Sequence, residues 1–132
     1  IYNKEKREIL FSNGGHHPAI LVTGNSTDSC EVNLLKTPGL VIGAMEDSVF
    51  VNDTHGVKDL GELYLFSDGA FELLKTDGSY TSYDDFVQHV ASLSKAGEAD
   101  IKRILQYSFE ERGELPFEDD YSLVKVTFSS KD

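Results

Sequence analysis

Asp68 stands where an apolar run stops. Leu63-Tyr64-Leu65-Phe66 reads as a short strand apolar on both faces, and Ser67-Asp68-Gly69 breaks it. Gly69 accepts backbone angles closed to other residues, so the chain can turn sharply there and leave Asp68 at the end of a rigid element. A second acidic group, Glu118-Asp119-Asp120, directly precedes the apolar stretch Tyr121 to Phe128. Carboxylate oxygens are preferred by Mg2+ and Mn2+, and acids on strand ends leave coordination positions for water. If the two acidic sites meet in space, a shared divalent cation would lower the pKa of bound water and make hydroxide available near neutral pH. Spacing alone favours a simpler reading, in which Asp68 caps a following short helix and residues 118–120 form a solvated turn.

The remaining reactive residues point elsewhere. His16 and His17 are adjacent, and neighbouring side chains on an extended chain face opposite ways, so the Gly14-Gly15-His16-His17-Pro18 turn reads as structural. His55 and His89 stand alone and take no assigned role. Cys30 is the only cysteine, which excludes an internal disulfide and a thiolate zinc cluster. It has no base beside it in sequence, which argues against a nucleophile. No glycine-rich phosphate loop, serine elbow or zinc-protease motif occurs.

The elements that must hold the acids follow from the pattern. A 132-residue chain with 39% hydrophobic residues supports one domain or part of one. The net charge of −11 makes nucleic acid and anionic membrane poor partners. The chain shows neither a signal peptide nor an apolar run long enough for a bilayer, and the expected location is the cytoplasm. Residues 1–3 and 7–12 read as strands around a polar turn, and 19–23 as a strand forming a hairpin with the preceding one across residues 13–18. Residues 30–35 and 49–52 read as further strands, 53–60 as a loop feeding the Asp68 strand, and 70–74 as one or two helical turns. Ser82 is placed to cap a helix carrying Phe86, Val90 and Leu93. A second helix starts near Glu98, with Ile101, Ile104, Leu105 and Phe109 on one stripe, and stops at Gly113. Strands, then a helix pair, then a strand make an α+β pattern with a mostly antiparallel sheet.

The order of four segments carries a resemblance. Phe11-Ser-Asn-Gly-Gly-His-His-Pro-Ala-Ile-Leu21, Pro38-Gly-Leu-Val-Ile-Gly43, Leu63-Tyr-Leu-Phe-Ser-Asp-Gly-Ala-Phe-Glu72 and Asp119-Asp-Tyr-Ser-Leu-Val-Lys-Val126 are similar, in that order, to motifs of the metal-dependent protein serine/threonine phosphatases of the PPM superfamily, in the bacterial SpoIIE/RsbU-like branch. The resemblance spans nearly the whole chain and implies the C-terminal portion of an α/β/β/α sandwich. It implies a hydrolase with a site for two Mn2+ or Mg2+ ions, in which a metal-bridged water attacks the phosphorus of a phosphoserine or phosphothreonine. By resemblance Asp68 and Asp119 are metal ligands, with Asp120 and Gly69 supporting them from behind, and no catalytic side chain is assigned. The family's other metal aspartates would lie upstream of Ile1. The chain is therefore expected to be the C-terminal half of a domain, inactive by itself, from a phosphatase of bacterial stress or partner-switching signalling acting on a phosphorylated protein. The alternative is a catalytically silent adaptor of the same fold that binds a regulatory protein. Half a sandwich leaves sheet surface bare, so a homodimer is a further expectation.

Overall fold

The computed structural model describes residues 1–24, 29–57 and 60–129. The elements in chain order are β1 (Tyr2–Asn3), β2 (Glu8–Phe11), β3 (Ala19–Thr23), β4 (Glu31–Leu35), β5 (Asp53–Gly56) and β6 (Gly61–Phe66). A single 3-10 turn (Asp68–Ala70), α1 (Tyr83–Lys95), α2 (Ile101–Arg112) and β7 (Leu123–Phe128) complete the order. Two antiparallel sheets form, ordered β1-β2-β5 and β4-β3-β6-β7. The α+β expectation holds.

Alternation along β3 and β6 sets the layers. Ile20, Val22, Tyr64 and Phe66 point to one face and pack with Phe86 and Val90 of α1 and Ile104 of α2. Leu21 and Leu63 point to the other face and meet Ile9 of β2 and Val57. The result is a helix layer, a four-stranded sheet and a smaller sheet, three layers of the expected four. The register β3 to β6 to β7 places Leu21, Leu63 and Val126 in one row.

Local chemistry explains the helix limits. Ser82 and Asp85 form a reciprocal capping box, as the sequence predicts. For α2 the cap is Asp100, which accepts from Arg103 N at 2.9 Å, so the helix begins at Ile101 rather than near Glu98. Its buried residues are Ile104 and Ser108, one helical step apart, while Ile101 and Phe109 from the expected stripe are exposed. Phe109 instead packs outside, with its ring 5.6 Å from Phe117 and 4.8 Å from the Arg112 guanidinium.

Four other expectations are corrected. β2 and β3 make no hairpin: they lie in different sheets, and residues 13–18 carry the chain from one sheet to the other. The strand expected at 49–52 lies at 53–56, where it pairs with β2 through Ile9 and His55. Leu65 is not buried on both faces; it lies on the inter-sheet face and is 45% exposed, because the smaller sheet stops short of it. After the 3-10 turn the chain forms no further helix before residue 83, but a bridge between Leu74 and Tyr80 around the turn expected at 76–79.

Candidate metal centre

β6 delivers Asp68 and β7 is entered from Asp119 and Asp120, and these strands are neighbours in the large sheet. Ser67 fastens the two turns together. Its backbone N–H donates to Ser122 O at 3.0 Å, continuing the β6–β7 ladder beyond the last strand residue. Its hydroxyl donates to Asp120 O at 2.7 Å and accepts from Ser122 N at 2.9 Å. Gly69, buried, closes the contact: a Cβ there would stand 2.5 Å from Asp120 O and 3.1 Å from Asp119 O. Only a glycine lets the backbones of the two acidic turns lie this close.

The carboxylates themselves stay accessible. Asp68 is half-buried and Asp119 and Asp120 are exposed. Asp68 Oδ1 accepts from Gly69 N at 3.0 Å, and Asp119 Oδ1 accepts from Asp120 N at 2.7 Å. Each bond holds a carboxylate against its own turn and occupies one oxygen. The cap position of the 3-10 turn belongs to Ser67, whose hydroxyl is spent on the clasp to Asp120 and Ser122, so Asp68 is not simply a helix cap.

A groove of about 960 Å³ runs between the sheets and reaches Ser67 and Asp68. Its other end wall is the residue 13–18 crossing, which is tightly held. Asn13 Oδ1 accepts from Thr37 N at 2.5 Å, Asn13 Nδ2 donates to Leu35 O at 3.0 Å, and Asn13 N donates to Thr37 Oγ1 at 2.9 Å. Gly14 and Gly15 have φ of 56° and 82°, in the left-handed region, and lie against Ile42 and Val41. His17 packs edge-on to Phe71 with ring centroids 4.6 Å apart. His16 is exposed in the groove, with Nδ1 2.9 Å from His17 O; a donating Nδ1 leaves Nε2 as the free nitrogen. Spacing gave no sign that this crossing would share a groove with Asp68.

The remaining candidates lie apart from that groove. Cys30 borders a separate hollow of about 620 Å³ that also holds Glu62 and Lys125, whose ion pair spans 2.5 Å. His89 stacks on Tyr107 between the helices at 4.2 Å. His55 sits on β5 with Nδ1 2.9 Å from Gly56 O.

The donor chemistry of Asp68 and Asp119 suits a hard cation, and the clasp at Ser67 and Gly69 holds their turns together. Among the described residues, no three His, Cys, Asp or Glu side chains gather as a metal-binding group. Any ion bound here would draw the rest of its ligands from water, phosphate or further protein groups.

The layers and connections match those of the SiaA-PP2C domain of Pseudomonas aeruginosa, with a TM-score of 0.72 and 18% identity over 96% of this chain and 48% of that one. The fold is thus that of a PP2C domain, of which the chain spans about half the length seen there. The chain belongs to the family of Stage II sporulation protein E (SpoIIE), whose family model matches residues 1–129. No curated protein sequence matches it. Among the described residues no helix is long and apolar enough to cross a membrane.

Proposed function

We propose that this chain forms one side of a divalent-cation site in a protein phosphoserine/phosphothreonine phosphatase of bacterial signalling. The observation that carries this is the clasp joining the Asp68 turn to the Asp119–Asp120 turn through Ser67 and Gly69. Asp68 and Asp119 would hold Mn2+ or Mg2+, with Asp120 and Gly69 fixing the turns behind them. Such an ion supplies an acidified water and positive charge to offset a phosphate. The chain's own residues do the rest: Ser67 fixes the separation of the acids, and the residue 13–18 crossing walls the groove a phosphorylated side chain would enter. Electrostatics supports a cation, because a dianionic phosphate would otherwise be repelled by three aspartates on a chain of net charge −11.

The test is hydrolysis of a phosphoserine peptide with Mn2+ by the complete domain in its natural protein. Asp68→Ala and Asp119→Ala should each lower kcat by more than about 100-fold, beyond the usual effect of an outer-shell change. Full activity in both variants overturns the assignment.

The alternative is a silent adaptor of the same fold; that no three-ligand group gathers among the described residues fits both readings, because the chain spans about half of the matched domain. A folded complete domain that hydrolyses nothing and gains no thermal stability from Mn2+ would establish the adaptor.

A further inference from the structure

The approach to Asp119 is held by rings rather than by backbone. Residues 116–119 make no backbone-to-backbone hydrogen bond among the described residues. Ser67 fixes the far side of the acid, at Asp120 and Ser122. On the near side Glu118 accepts from the Tyr80 hydroxyl at 2.7 Å, in the open where water competes. The firmer hold on that side is Phe117.

Phe117 is half-buried, and α2 supplies two of its contacts. The Arg112 guanidinium carbon stands 4.1 Å from the centre of its ring, and the Phe109 ring packs edge-on at 5.6 Å. Tyr121 meets it edge-on at 5.5 Å and packs in turn against the core that the helices share with the large sheet. Asp119 is thus bracketed, two residues from each of two anchored rings. A chain pinned on both sides of a residue leaves the side chain between them few places to go. Arg112 is suited to the grip. The face of an aromatic ring attracts a planar cation, and its Nε is buried with no hydrogen-bond partner among the described residues.

We infer that Arg112 and Phe117 are positioning residues of the metal centre: the guanidinium over the ring locks the Asp119 turn to the end of α2 and so sets the affinity for the cation. This rests on the metal-dependent phosphatase reading. Both residues act through Asp119 and not on the substrate.

The test is the Mn2+ dissociation constant of the natural full-length protein, by calorimetry, beside its thermal melt without metal. Phe117→Leu keeps apolar bulk but loses the ring. It should raise the constant about tenfold, the lower end of the usual effect of groups that support a metal ligand. Phe117→Tyr keeps the ring and should stay within about twofold of the wild type. Arg112→Gln is the sharper case. Removing a positive charge by itself favours a bound cation, so charge alone predicts tighter Mn2+ binding. The positioning role predicts the reverse, a constant several-fold higher. Should Phe117→Leu not fold, Arg112→Gln decides alone. Unchanged or tighter binding in Arg112→Gln overturns the inference. A Phe117→Leu variant that melts lower yet binds Mn2+ like the wild type also overturns it, because the grip would then support the fold only. So does a Phe117→Tyr variant as weak as Phe117→Leu, since the ring would not matter. A wild-type protein that takes up no Mn2+ brings down the metal reading and this inference with it, whereas wild-type binding with the variants unaffected overturns this inference alone.

Discussion

At the residue scale, two small side chains decide whether the acids stand together. Asp68 was legible because a strand ended in an acid followed by glycine. Ser67 was not, because its partners at Asp120 and Ser122 lie more than fifty residues away, and only the fold joins them. Gly69 was read as a turn residue; its role is close approach, since added volume would meet the Asp120 carbonyl. Gly69→Ala should destabilise the chain by about 1–3 kcal/mol, the usual cost of overpacking against backbone, read from denaturant melts. It should also reduce any stabilisation by Mn2+, because the acidic turns would be pushed apart. Ser67→Ala should cost less, about 1 kcal/mol, because Asp120 and Ser122 are exposed and water can replace the hydroxyl. A Ser67→Ala variant that melts like the wild type and keeps its full Mn2+ response would remove the clasp from the account.

At the element scale, the helix pair responds to acid through His89. Burial holds its imidazole below the ordinary histidine range, while the charges of Glu110 and Glu111 and a backbone hydrogen bond at Arg103 oppose the shift. Its Nε2 is buried with no hydrogen-bond partner among the described residues. The unfolded chain therefore takes up this proton at higher pH than the folded one. The stability that neutral His89 allows is full above the ordinary histidine pKa of about 6.5 and is lost as pH falls through it toward the lower folded value. Asp77 and Asp85, whose carboxyls are held low by Ser79 and Ser82, act only below the carboxylate range, so the windows separate. His89→Gln should flatten the stability profile between pH about 7.5 and 5.5, around that reference value; an unchanged slope in urea melts would discount the imidazole. The Ser82 cap of the first helix was legible because it is a local signal, whereas the Asp100 cap of the second was not, and its start was placed near Glu98. The identity of the buried stripe was not legible either, since Phe109 was counted as core on hydrophobicity, whereas Arg112 and Phe117 hold it on the outside. The supposed β2–β3 hairpin failed likewise: a Gly-Gly turn permits reversal, but Asn13 locked to Thr37 and Leu35 sends the chain across to the other sheet.

At the scale of the whole molecule, the smaller sheet leaves one end of the larger one open. Leu65 pairs with Val124 and Leu63 with Val126, so all four share the inter-sheet face, yet Leu65, Val124 and Val126 are substantially exposed. β7 is also an edge strand, with no neighbour beyond it among the described residues. Strand count was legible from the sequence; which strands would cover which face was not, because cover depends on pairing across the whole chain. An apolar face beside a free edge favours association, while a charge of −11 on each copy opposes it. The balance should therefore shift with salt. At low ionic strength repulsion reaches across the contact, whereas at 0.15 M and above the screening length falls to about 8 Å or less and the apolar term prevails. Light scattering on this 132-residue chain should show mass rising with concentration, more steeply in high salt. Leu65→Thr with Val124→Thr places strand-favouring β-branched residues at both positions and should return it to a monomer. Mass that stays monomeric at high salt and high concentration would mean that the open face is tolerated in water, and that this chain does not pair through it.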